Sequence, residues 1–241
     1  MINILKKIMS IGMVTESYDN GQPPKRFRGQ VEIKDASCLN CSACLNSCPT
    51  NAIKKEKGYL VIDQRACIFC GRCVKYCEDR QLHHTNHYKL AHFGENASKT
   101  GALLKERIGN LFGRSLHIRH VDAGSCNACD FEMSALSNPF YDVQQYGIDF
   151  VASPRHADML MVTGVVTRNL TQALLMTYEA MPAPNLVMAV GACAASGQVF
   201  GTTYAIEGPV DKIIPVDIYV PGCPPRPQAL LYALLLGLDK L

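Results

Sequence analysis

From Leu116 onward the chain alternates short apolar, β-rich runs with stretches of helical period. Phe150-Val151-Ala152, Met159–Thr163, Leu186–Val190 and Ile218-Tyr219-Val220 read as strands. Leu170–Met181 reads as a helix, and Gln228–Leu238 predicts a last helix after Pro224-Pro225-Arg226-Pro227. Buried strands alternating with helices point to an α/β domain around a mostly parallel sheet. Upstream the pattern differs. Ala52-Ile53-Lys54 and Tyr59-Leu60-Val61-Ile62 predict two short strands around a Lys57-Gly58 turn. Ile4, Leu5, Ile8 and Met9 have helical spacing, as do Leu103, Leu104, Ile108 and Leu111 further on. These signals divide the chain into a docking arm (1–30), a small α+β domain (31–80), a linker with a connecting helix (81–113) and the α/β domain (114–241).

Composition excludes several classes. The 241 residues are 48% hydrophobic with a formal charge of +3, which is ordinary for a globular protein and too small for a nucleic-acid partner. With no Trp, stacking on single strands is also unsupported. The longest apolar stretch, Ala229–Leu238, falls well short of the about 20 residues needed to span a bilayer. Lys6 and Lys7 interrupt the apolar N-terminus, where no small-residue cleavage site follows, so a secretory signal is not expected. The expected location is cytoplasmic, where closely spaced thiols serve metals more than disulfides.

The chemistry lies in twelve cysteines. Cys38, Cys41, Cys44 and Cys48 follow a C-x-x-C-x-x-C-x-x-x-C spacing that Cys67, Cys70, Cys73 and Cys77 repeat. Such a run wraps three thiolates round one 4Fe–4S cubane and sends its fourth cysteine to the other. The expected ligand sets are therefore Cys38, Cys41, Cys44 and Cys77, and Cys67, Cys70, Cys73 and Cys48. A pair of zinc sites is the alternative, because C-x-x-C also suits zinc; a disulfide framework fits the repeated spacing poorly. Pro49 follows Cys48, but Glu78 follows Cys77, placing a carboxylate where a negative charge would lower the potential of the nearby cluster.

The other four cysteines are Cys126, Cys129, Cys193 and Cys223. Cys193 and Cys223 each follow a predicted strand, after Gly191 and Gly222, at the carboxyl edge where α/β sheets hold ligands. Cys126 and Cys129 would share one face of a helix starting there. One more cubane is the expected occupant, making three 4Fe–4S clusters in all; four separate buried structural cysteines are the alternative. Glu132 would share the cysteines' helical face and is a candidate proton relay. The stretch Gly191–Gly197 has neither the Lys of a P-loop nor a G-x-G-x-x-G, which argues against a nucleotide. His83, His84, His87 and His92 lie in a polar stretch, and no cysteine remains to join them in a zinc site.

The segment Gly113-Arg114-Ser115-Leu116-His117-Ile118-Arg119-His120-Val121-Asp122-Ala123-Gly124-Ser125-Cys126-Asn127-Ala128-Cys129-Asp130 resembles the small subunit of energy-converting (group 4) nickel–iron hydrogenases, a relative of the 20 kDa subunit of respiratory complex I. The resemblance continues through Asn138–Asp142, Ser153–Asp158, Thr163-Gly164, Val166–Asn169 and Pro221–Pro225. Residues 1–80 are similar to the two-cluster ferredoxin-like subunit of formate hydrogenlyase complexes. The resemblance implies a flavodoxin-like sheet fused to a ferredoxin-like domain. It also implies that Cys126, Cys129, Cys193 and Cys223 hold the cluster nearest the active site of a separate nickel–iron large subunit. Complex I proteins carry two adjacent cysteines at the first position, so the separated Cys126 and Cys129 favour the hydrogenase branch. The implied partners are that large subunit, membrane-arm subunits, and an electron donor such as a formate dehydrogenase, carbon monoxide dehydrogenase or ferredoxin, at the cytoplasmic face of the membrane. Two other readings stay open: a complex I-like protein delivering electrons to a quinone site, and a non-redox metal-binding interaction module.

Overall fold

The computed structural model describes residues 2–16, 23–34, 42–94 and 115–237. Cys38, Cys41, the connecting helix expected around Leu103–Leu111 and Leu238 lie outside the described residues. In chain order, helix α1 (Ile2–Ile11) precedes a small unit of β1 (Val31–Ile33), α2 (Ala43–Ser47), β2 (Ile53–Glu56), β3 (Tyr59–Ile62), α3 (Arg72–Lys75) and β4 (Leu82–His84). β2 and β3 form a hairpin that turns at Lys57-Gly58, with Ile53 opposite Ile62, and β1 pairs antiparallel with β4. The core of this unit is thin: Val31, Ile53, Leu60 and Leu82 pack with Cys44, Cys73 and Cys77. Thiols thus stand where a larger domain would have leucines.

β5 (His92–Phe93) leads to the second unit, which comprises β6 (Leu116–Asp122), α4 (Ala128–Ala135), β7 (Ile148–Phe150), β8 (Met159–Thr163), β9 (Val166–Thr167), α5 (Arg168–Glu179), β10 (Leu186–Val190), α6 (Gly191–Ser196), β11 (Ile206–Gly208), β12 (Ile218–Val220) and α7 (Pro227–Gly237). Six strands form one sheet in the order β5-β12-β10-β8-β6-β7, and all neighbours are parallel except β5 with β12. Counting only the parallel strands in chain order gives 2-1-3-4-5, the flavodoxin-like doubly wound arrangement. Alternate side chains serve opposite layers. Met159, Met161, Leu186 and Met188 pack under α4 and α7, while Leu160, Val162, Val187 and Ala189 pack against Leu174 of α5 and Ala194 of α6.

Several elements depart from the sequence reading. The strand expected over Phe150–Ala152 is Ile148–Phe150, because Ser153-Pro154 turns the chain away into a 3₁₀ turn. α5 begins at Arg168, directly after Thr167, and its last helical residue is Glu179. The glycine-rich stretch after β10 is the short helix α6. Cys126 does not share a helix with Cys129, since α4 begins only at Ala128 after a left-handed Asn127 (φ 65°).

The two units meet along the sheet edge. Phe93 pairs with Ile218 and His92 with Tyr219, and the Arg65 guanidinium lies over the Tyr219 ring, 5.3 Å from its centre. Arg28 donates from Nη1 to the Cys70 carbonyl at 2.6 Å, and Arg226 lies over Phe27 at 5.2 Å.

Candidate metal centres

The parallel strands deliver one group of thiols to a single edge. β6 ends four residues before Cys126, β10 three before Cys193 and β12 three before Cys223, each at a carboxyl end. The approach is close: a Cβ on Gly191 (φ +84°) would stand 2.7 Å from Cys129 Sγ, so only glycine fits. Cys129 and Cys193 are buried while Cys126 and Cys223 are exposed, so this thiol group opens on the surface. Burial pushes the Cys129 thiol up to about 12, and the charges of Cys193, Cys223, Asp130 and Cys126 push the same way. Cys193 is also raised to about 12, by burial and then by Cys223 and Cys126. When bare, Cys129 and Cys193 stay protonated, and a strongly cationic centre would be needed to ionise them together.

A polar network braces the turn that carries Cys126. Asp122 Oδ1 accepts from the Gly124 and Ser125 backbone N–H groups at 2.8 and 2.7 Å. Ser125 Oγ donates to Asp130 Oδ2 at 2.6 Å and itself accepts from the Asn127 N–H at 3.0 Å. Thr163, the last residue of β8, donates to Asp130 Oδ1 at 2.8 Å. This junction of β6 and β8 is where the strand order reverses, the usual ligand crevice of such sheets.

A second group lies in the small unit. Cys48, Cys67, Cys70 and Cys73 line one small pocket, walled otherwise by mainly apolar groups such as Val31, Ile53 and Ile62. Burial raises Cys67 to about 12 and Cys73 to about 11, and Cys48 and Cys70 contribute to both shifts. Backbone N–H groups already point at sulfur: Ala52 to Cys48 at 3.2 Å, Phe69 to Cys67 at 3.4 Å and Gln81 to Cys77 at 3.2 Å. Such bonds tune the potential of a cluster held there. Cys44 and Cys77 are both buried in the thin core of this unit. Ile68 borders the Cys48 cavity and also, with Phe69, the open hollow beside Cys223.

Glu132 is half-buried on α4; burial raises its pKa, and the opposing influence is Arg226. The four histidines do not converge. His84 Nδ1 shares a hydrogen bond with the Gly29 carbonyl at 2.9 Å, His83 stands 4.0 Å from Glu32, and His92 belongs to β5. Among the described residues no three His, Cys, Asp or Glu side chains close on a single metal ion, and all ten described cysteines are free of disulfides.

Residues 126–236 match the family described as NADH ubiquinone oxidoreductase, 20 Kd subunit, and residues 30–81 match the 4Fe-4S dicluster domain. A probable membrane-bound hydrogenase subunit of Pyrococcus furiosus is 48% identical over 141 residues, covering 57% of this chain and 84% of that protein. The chain belongs to the 20 kDa family shared by nickel–iron hydrogenases and complex I. Formate hydrogenlyase subunit 7 of Escherichia coli is 44% identical over 145 residues, 60% of this chain and 55% of that protein. An NADH-quinone oxidoreductase subunit of Citrifermentans bemidjiense is 48% identical over 113 residues, 47% of this chain and 66% of that protein. As a 20 kDa-family member this chain is a subunit of an oxidoreductase, with an iron–sulfur dicluster domain placed before the family domain.

Both thiol groups fit iron–sulfur clusters. The Cys48 cavity has apolar walls and sulfur-directed N–H donors, and the sheet-edge group has a glycine that clears space beside Cys129. The Asp122–Asp130 network is the part that sequence reasoning missed. Its only sequence signal is a pair of carboxylates and a serine crowded around Cys126 and Cys129.

Proposed function

We propose that this chain is the electron-transfer subunit of a membrane-associated, energy-converting hydrogenase of the formate hydrogenlyase type. In this reading it carries three 4Fe–4S clusters, which supply one-electron transfer. Cys38, Cys41, Cys44 and Cys77 hold the first, Cys67, Cys70, Cys73 and Cys48 the second, and Cys126, Cys129, Cys193 and Cys223 the third. A nickel–iron large subunit reduces protons or oxidises hydrogen, membrane-arm subunits anchor the complex, and a formate dehydrogenase, carbon monoxide dehydrogenase or ferredoxin exchanges electrons with the small unit.

The observation that carries the proposal is the half-open sheet-edge site. Two of its thiols are buried and two exposed, and Phe131 on the neighbouring helix α4 is 75% exposed. A relay site must lie close to the partner that takes its electrons, and an exposed aromatic beside it suits a partner's surface. Ile68, shared between the Cys48 cavity and the hollow beside Cys223, supports the second cluster as neighbour of the third. Glu132, half-buried beside Arg226, is the proposed proton-handling group.

The likeness to an NADH-quinone oxidoreductase protein supports a second reading, in which the partner lacks nickel ligands and a quinone accepts the electrons. Anaerobic purification tests the core of both. About twelve irons per chain are expected, four for each of three cubanes. Cys193→Ser should remove one reduced signal in electron paramagnetic resonance and leave the others. Zinc with little iron, or three unchanged signals in the variant, overturns the cluster assignment. Nickel in the co-purified complex separates the hydrogenase reading from the quinone one.

A further inference from the structure

Every residue from Asn3 to Val14 is exposed, including the whole of α1 whose side chains are described. That is costly for what this segment contains. At 3.6 residues per turn, Ile4, Leu5, Ile8, Met9 and Ile11 occupy one half of the helix circumference, and Asn3, Lys6, Lys7 and Ser10 occupy the other. The apolar side chains are 56 to 78% exposed, and Met13 beyond them is 90% exposed. A ten-residue helix is also marginal in water without a surface to pack on. Its covering surface therefore comes from outside the described chain.

Charge identifies that surface. Residues 2–14 contain two lysines and no carboxylate. Lys7 lies one turn before Ile11 and Lys6 three residues before Met9, so a lysine flanks each border of the apolar half. Long cationic side chains on both borders can reach up to headgroup phosphates while the apolar half sinks among acyl chains. A protein groove favours a narrower apolar stripe and carboxylates opposite the lysines. The segment is also firmly moored. Thr15 Oγ1 donates to the Pro139 carbonyl at 3.1 Å, the Glu16 N–H to the Phe140 carbonyl at 2.8 Å, and Gln228 Nε2 to Glu16 Oε2 at 3.1 Å. Gly12, at φ +65° with open space around it, turns the chain between helix and mooring.

We infer that α1 lies in the interface of an anionic phospholipid bilayer and gives this chain its own membrane contact, independent of any membrane-arm subunit. The contact is built from burial of Ile4, Leu5, Ile8, Met9 and Ile11 together with headgroup pairing of Lys6 and Lys7.

The chain has no Trp, so Leu5→Trp supplies a sole fluorescent reporter. Mixed with vesicles of phosphatidylglycerol and phosphatidylcholine, the full-length, cluster-loaded variant should shift its emission to the blue and float with the lipid. Adding Lys6→Gln and Lys7→Gln should weaken that binding by roughly 30-fold, from about fivefold for each lysine at an anionic surface. Ile4→Glu with Ile8→Glu should abolish it. Iron content should be unchanged in all these variants, since α1 packs on nothing in the described body. No blue shift with any vesicle overturns the inference, as does binding that ignores the lysine changes. In the assembled complex, a photo-crosslinker at Ile8 should capture phospholipid; capture of a protein subunit overturns it.

Discussion

His120 Nε2 stands 3.0 Å from Asp130 Oδ1, which joins the carboxyl end of strand β6 to the first turn of helix α4 beside the sheet-edge thiol site. Thr163 Oγ1 completes the triangle, 2.9 Å from the same imidazole nitrogen and 2.8 Å from the same carboxylate oxygen. Burial pulls His120 below its ordinary proton affinity, against the opposing charges of Asp130 and Asp122. Asp130 is thus the common acceptor for groups from β6, β8 and the Cys126 turn.

Removing that acceptor should cost more than changing its charge. Asp130→Ala leaves Ser125, Thr163 and His120 without their shared partner, a loss of about 3 kcal/mol. For a chain of this size that lowers Tm by roughly 10 °C. Asp130→Asn keeps one carbonyl acceptor and should lose less than half as much. Differential scanning calorimetry of the two variants, prepared anaerobically, checks the order. Equal losses would show that the network is held by something other than this carboxylate.

A methyl group tests the thiol site more locally. In Gly191→Ala the new Cβ would meet Cys129 Sγ at 2.7 Å, at a φ of +84° that side chains rarely adopt. The strained backbone alone costs about 1–3 kcal/mol. With the proposed three cubanes, the variant should lose roughly a third of its iron, while the two dicluster signals persist. Full iron content with three intact signals would mean that Cys129 moves aside freely.

Much of this site can be read from the sequence, for identifiable reasons. β8 and β10 are buried on both faces, so Met159–Thr163 and Leu186–Val190 appear as unbroken apolar runs. The glycines at 191 and 222 mark the ends of neighbouring parallel strands, where the thiols follow. β6 is hidden because His117, Arg119 and His120 break its apolar pattern, although Leu116 and Ile118 are fully buried. The left-handed Asn127 that takes Cys126 off the helix gives its N–H to Ser125 Oγ, a local bond held in place by Asp130, which also accepts from Thr163 of β8, and spacing does not encode that convergence. Nor does periodicity reveal β5, a two-residue strand recruited to the sheet edge by pairing with Ile218 and Tyr219.

That edge carries a pH dependence. His92 has a buried Nε2 with no hydrogen-bond partner, and burial followed by the charge of Arg65 lowers its pKa from 6.5, with Asp63 opposing. A histidine that takes up a proton less readily when folded gives stability that is present above its unfolded value and lost as pH falls below it. Stability should therefore decline through this group as pH falls below about 6.5, and His92→Gln should flatten that part of the profile. Urea titrations of both proteins at a series of pH values measure it. Parallel profiles for the two would remove His92 as the cause.

Glu132 offers a sharper functional test, because the proton-handling role proposed for it is separable from cluster binding. Desolvation raises its carboxyl pKa while Arg226 holds it down, so the group is drawn toward the range in which protons exchange readily. Glu132→Gln keeps shape and hydrogen-bonding reach but cannot ionise. Under the proposed hydrogenase function, the variant should retain full iron content and all reduced spectra, yet slow hydrogen turnover of the assembled complex by about 100-fold. Glu132→Asp should recover part of that rate with a displaced pH profile, which a purely structural side chain would not produce. Turnover in Glu132→Gln equal to the parent at every pH would assign Glu132 to the protein surface and leave proton delivery to the partner.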